Sequence, residues 1–168
     1  MEEIEPNARI ADLVGILYVL NLIFKERTDL YRLEKELEVD VDDLMPIVYT
    51  ASRLGFVSVE EGDIWITEKG KEYISSGFPR RKEILRGSLD GIEPFATAIH
   101  LGIFTIEELY ESLMAKGLQR YNSPSGMRDL EVIMIEWGLY SGLLKKTEDG
   151  FQAVFKSART GRGKEKSN

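Results

Sequence analysis

Cysteine is absent from the 168 residues and histidine occurs once, as His100. Without thiols the chain has no disulfide framework, thiolate metal site or cysteine nucleophile, which points to a reducing, cytoplasmic compartment. One histidine supplies neither a zinc ligand set nor the base of a nucleophile, base and orienter arrangement. Set between Ile99 and Leu101, His100 is expected to be a packed, hydrogen-bonded side chain. The only glycine-rich stretch resembling a phosphate loop, Gly161 to Lys164, lacks the upstream glycine and is followed by Glu165. Asp40, Asp42 and Asp43 lack the glycine and closing glutamate of a calcium loop, so helix capping is their expected role. No catalytic, cofactor or metal residues are therefore expected, and the chain reads as a non-enzyme.

Long apolar runs are missing too. The longest, over residues 11–24, is broken by Asp12 and Asn21 and falls short of the roughly 20 residues a bilayer crossing needs. The acidic start, with Glu2, Glu3 and Glu5, is unlike a signal peptide, so no membrane insertion is expected. Positive charge is in deficit: the net charge is −7 and the pI about 4.9. Such a field opposes approach to a phosphate backbone.

A residue set that is 43% apolar and 30% charged suffices for a folded core. Over residues 7–25, Ile10, Leu13, Leu17, Leu20 and Phe24 recur at helical steps. Ile16, Tyr18, Val19, Leu22 and Ile23 make this first helix apolar nearly all round, which leaves room for a homodimer through it. Thr28 or Asp29 can cap a second helix bearing Leu30, Leu33 and Leu37. A third opens at residues 40–43, carries Pro46 in its first turn, and stops at Gly55. Two β-rich runs, 56–59 and 64–67, form a hairpin around residues 60–63.

Three helices and a hairpin are the order of a winged helix-turn-helix. After Gly77, Phe78 and Pro79 the pattern starts again, with helices expected over 80–89, 92–101, 105–118 and 127–137, and a loop over 119–126. Thr105 and Glu108 form a capping box. Gly138 is expected to close the last helix as Gly55 closes the third, ahead of a hairpin around Asp149 and Gly150. The expected fold is mainly α with small β-hairpins, α+β: one winged-helix unit over 7–77, a degenerate second over 79–156, and a disordered basic tail over 157–168.

The stretches 29–48 and 54–70, with Leu33, Asp40, Pro46, Gly55, Trp65, Thr67, Lys69 and Gly70, resemble the AAA-associated C-terminal domain family. A looser likeness continues through residues 80–86 and 135–140. That family follows the ATPase cassette of nitrate-, sulfonate- and taurine-type ABC importers, and some members stand alone. The resemblance implies association with a transporter ATPase rather than an activity of the chain's own.

Charge then separates two binding roles. Between residues 28 and 67 ten acidic side chains stand against three basic ones. Asp42 and Asp43 at the start of the reading helix, with Glu60, Glu61 and Asp63 at the hairpin, would repel DNA and suit a basic protein partner. The alternative is a winged-helix transcription regulator whose anion contacts are Arg80, Arg81, Lys82 and Arg86, with Ser125, Arg128, Lys145 and Lys146 of the second unit. Core packing is expected for Trp65 and Trp137.

Overall fold

The computed structural model describes residues 2–154; the expected tail lies outside them. The chain divides into two compact units, one of residues 3–81 and one from Lys82 onward that also takes in Glu2. The structure is mainly helical with short antiparallel strands. Among the described residues no helix is long and apolar enough to cross a membrane.

In the first unit, α1 (Ile10–Tyr18) buries Ile10, Leu13, Ile16 and Leu17. It runs on as a π-helical turn over Val19–Ile23, which buries only Leu20. A short strand not foreseen in the sequence follows, β1 (Arg27–Asp29). Its polar residues and length of three carry no alternation to read. Thr28 is buried within it, and Asp29 caps α2 (Leu30–Leu37) by accepting from the Arg32 amide at 2.8 Å.

Helix α3 (Val41–Arg53) opens where expected, but Pro46 is its sixth residue rather than part of its first turn. Its missing N–H leaves the carbonyl of the exposed Asp42 without a helical donor, which water can satisfy. Gly55, at φ +85°, ends the helix as expected. Strands β2 (Val57–Glu60) and β3 (Asp63–Ile66) join through Glu61 and Gly62, both at positive φ, the geometry of a tight hairpin turn. Thr67 then leaves the sheet and caps α4 (Glu68–Ser75). The ring of Phe56 stacks on Tyr73 at 4.8 Å in the core.

Helix α5 (Phe78–Leu89) has Pro79 in its first turn, where no donor is lost, and spans the division between Arg81 and Lys82. Pro94 delays α6 to Phe95–Leu101, since the residue before a proline is kept out of helix. Strand β4 (Ile103–Phe104) was likewise not foreseen, being two residues long. The capping box of Thr105 and Glu108 opens α7 (Ile106–Ala115) as expected. A 3-10 turn, Gln119–Tyr121, interrupts the expected loop.

Helix α8 (Gly126–Ile133) does not stop at Gly138. It passes through a π-helical stretch, Met134–Leu139, and ends at Gly142, φ +82°. Gly138 is buried for a packing reason: a Cβ there would lie 2.6 Å from Leu144 and 3.2 Å from Phe95. The glycine that matches Gly55 is therefore Gly142, and the expected repeat was offset by four residues. Strands β5 (Leu144–Lys146) and β6 (Phe151–Ala153) complete the unit.

Each unit holds one three-stranded sheet, ordered β1-β3-β2 and β4-β6-β5. In both, the strand that precedes the last two helices before the hairpin pairs with the hairpin's second strand, and in the second unit α5 comes ahead of this set. The order helix, strand, two helices, hairpin is thus repeated once.

Candidate functional site

The acidic side chains fall into two groups. Asp42 and Asp43 lie exposed in the first turn of α3, where they complement the helix dipole. Asp40 holds the capping position without a side-chain cap bond. With Asn7, Asp12, Val39, Pro46 and Ile47, Asp42 and Asp43 line a cleft of about 280 Å³. Val41 and Tyr49 add exposed apolar surface on the same helix, at 45% and 48%. The cation near its far end, Arg53, is tied to Glu5 at 2.8 Å and to the Glu3 carbonyl at 2.8 Å.

The second acidic group is at the hairpin. Glu60 and Asp29 both sit opposite Asp63 in the sheet register, so three carboxylates lie abreast beside the exposed Glu61. Arg27 relieves part of this repulsion by pairing with Asp63 at 3.0 Å while its guanidinium lies 4.5 Å above Trp65. The hairpin does not project: the Leu30 amide donates to the Gly62 carbonyl at 2.9 Å, which brings the turn level with the start of α2. The cleft takes in Asp42 and Asp43 and none of Glu60, Glu61 and Asp63.

The basic candidates are mostly engaged. Arg80 pairs with Glu72 at 3.1 Å. Arg81 donates to the carbonyls of Ile74 and Ser76, closing α4, and to the Tyr18 hydroxyl. Lys82 lies 5.3 Å above the ring of Tyr140, and Arg86 donates to the Ser141 carbonyl at 2.9 Å. Ser125 bonds Asp129, and Lys146 bonds the carbonyls of Thr147 and Gly150. Arg128 and Lys145 are exposed. Arg80 and Arg81 belong to the first unit and Lys82 and Arg86 to the second.

Residues 31–147 match the family model of the C-terminal AAA-associated domain, which is more than half of the chain. The chain belongs to that family. The search of curated proteins found no match, and neither did the search of solved structures. The matched span of this AAA-associated domain runs from α2 through the loop after β5, so it covers parts of both units and leaves α1 outside.

Other features of the AAA-associated domain depart from expectation or went unseen. His100 is exposed at the end of α6, not packed, and its side chain makes no hydrogen bond to the described residues. Trp137 is fully buried, whereas Trp65 is half-buried beneath Arg27. No group of three His, Asp or Glu among the described residues is placed to hold a metal. A buried network was not legible: Glu93, 2% exposed, accepts from Thr97 at 2.6 Å, and Lys116 reaches Thr97 at 2.6 Å and Glu93 at 3.3 Å. Lys116 is 23 residues from Glu93, and no local pattern joins them.

Two lysines of α4 carry shifted pKa values. Lys71 is raised, first by its bond to Glu26 at 2.6 Å and then by Glu68. Lys69 is an exposed residue overall, yet its ammonium lies 5.6 Å from the ring of Phe56. The water lost there lowers its pKa.

Proposed function

We propose that the chain is a non-catalytic regulatory module of two tandem winged-helix units, which docks on the ATPase of an ABC-type importer in the cytoplasm. The order helix, strand, helix, helix, hairpin, with the first strand completing the sheet, supports a winged helix in both units. Membership of the AAA-associated family supports an ATPase partner.

The observation that carries the binding role is the exposed start of α3. In a DNA reader this turn meets base edges and phosphates, yet here it presents Asp42 and Asp43 beside exposed Val41. The hairpin, level with α2 and acidic, has neither the reach nor the charge to follow a groove. Carboxylates around an apolar patch suit basic and apolar residues of a protein surface.

Fluorescence anisotropy with mixed duplex DNA at low and at physiological salt tests the choice. The expected result is no binding at either salt. Tight, salt-sensitive binding would move the function to Arg128 and Lys145 of the second unit. In pull-downs against an importer ATPase, the double variant Asp42→Lys, Asp43→Lys is expected to lose at least about tenfold in affinity. Unchanged affinity would remove α3 from the docking face.

A further inference from the structure

The second unit carries a groove that docking through α3 leaves unused. About 330 Å³ in volume, it lies between the start of α7 and the turn joining β5 to β6. Ile103, 67% exposed, and Phe104 line it with apolar surface. Glu108, Glu148 and Asp149 form an acidic rim, and all three are exposed. Glu108 uses one carboxylate oxygen to accept from the Thr105 amide, and among the described residues none of the three has an ion pair. Lys146, at the same turn, gives its ammonium to the carbonyls of Thr147 and Gly150 instead. Other exposed carboxylates have a cation of their own, as Asp63 has Arg27 and Glu72 has Arg80.

We infer that this groove is the docking site of the chain's own C-terminal segment, residues 155–168, with Arg159 and Arg162 set against Glu148 and Asp149. The segment begins beside it. The Ala153 amide donates to the Gly102 carbonyl at 2.7 Å, and Gln152 sits opposite Ile103 in the register, so β6 ends next to the apolar side of the groove. Asp149 lies five residues back along the chain from Val154, a span of at most about 17 Å. Arg159 and Arg162 stand five and eight residues beyond Val154, with reaches of about 17 and about 26 Å, enough to return to Glu148 and Asp149. Charge matches as well as length. Residues 155–168 hold five cations and a single acid, Glu165. Arginine stems can cover Ile103 while the guanidinium groups meet the rim. So short a tether presents the cations at a local concentration on the order of millimolar, and contacts too weak to join two molecules suffice within one. Docked there, these cations are withheld from the phosphate backbone that a DNA reader would need them to meet.

Because the chain lacks cysteine, Thr160→Cys in the full chain gives a single attachment point for a nitroxide, between the two arginines. Paramagnetic broadening of the backbone amides at low salt is then measured. The strongest broadening is expected at residues 103–105, 108 and 147–150, and it should not change on dilution, because the contact is within one chain. Glu148→Lys with Asp149→Lys should reduce it at least about threefold, and adding Arg159→Glu with Arg162→Glu should restore most of it. Glu148 and Asp149 are exposed, so the remaining amide shifts should stay in place. The inference is overturned if those amides are broadened no more in the labelled parent than in the Glu148→Lys, Asp149→Lys variant, or if the broadening falls on dilution. It is also overturned if the broadening centres on Asp42 and Asp43 of the first unit, or if the fourfold swap fails to restore it.

Discussion

The two units share a strand order and a placement of helices, yet their surfaces differ. Residues 3–81 hold sixteen acidic side chains against ten basic, while the rest of the chain holds thirteen against twelve. What they share is sparse. Each has a helix ended by a glycine at positive φ, Gly55 or Gly142, followed by a hairpin with buried residues at its start. Topology rests on those few buried and left-handed positions, so surface charge is free to diverge without altering the sheet. The acidic bias of the first unit is therefore a property of its surface and not of its fold.

The strongest way to sharpen this contrast uses the tryptophans, one in each unit. Trp137 is fully buried in the second unit, and Trp65 is half-buried under Arg27. Trp137→Ala should cost about 4 kcal/mol, through lost burial and the cavity left behind. Trp65→Ala should cost about 1 kcal/mol, since only part of its ring leaves water. Urea unfolding of each variant measures both. Equal losses would mean that the first sheet depends on its exposed face as much as the second does on its core.

A smaller effect separates the units' ion pairs. The Glu93 carboxylate, 3% exposed in its side chain, relies on Thr97 and Lys116. Lys116→Met would leave that charge buried with a single hydroxyl donor, at a cost of about 2 kcal/mol, less than for a fully buried pair because the Lys116 side chain is 42% exposed. Glu93→Gln in the same chain should recover part of it. In the first unit, Arg53→Met breaks the contact with Glu5, whose carboxylate is less deeply buried than that of Glu93, and should cost about 1 kcal/mol.

The helices of both units could be read from apolar spacing because each buries one stripe: Leu13, Ile16, Leu17 and Leu20 in α1, Leu109 and Leu113 in α7. Strands β1 and β4 could not. Two or three residues have no period, and their pairing with β3 and β6 is fixed by tertiary contact. Gly138 misled for a related reason, since a glycine needed for close packing and one needed for positive φ look alike in sequence. The acidic candidates were legible because charge at a helix start is local. The π turns that widen α1 and prolong α8 were not, because they depend on what each helix packs against.

The smallest expected effect lies in α4, which follows the first hairpin and has no counterpart among the described residues after β6. Lys69 is lowered below the ordinary lysine value of 10.5 by loss of water, so the folded chain holds that proton less tightly than the unfolded chain. Its penalty is present at neutral pH and is relieved as pH rises toward 10.5, which makes stability increase there. Lys71 is raised above the same value by Glu26 and Glu68, so its contribution is full below 10.5 and is lost as pH climbs through its raised folded value. Urea midpoints taken at intervals from about pH 8.5 to about pH 11.5, on either side of the ordinary lysine pKa, should show both slopes. Lys69→Met should remove the rise below 10.5 and leave the fall above it, and Lys71→Met should do the reverse. If both variants lost the fall, the two ammonium groups would be sharing Glu26 and Glu68, and the contact of Lys69 with Phe56 would not be what sets its proton affinity.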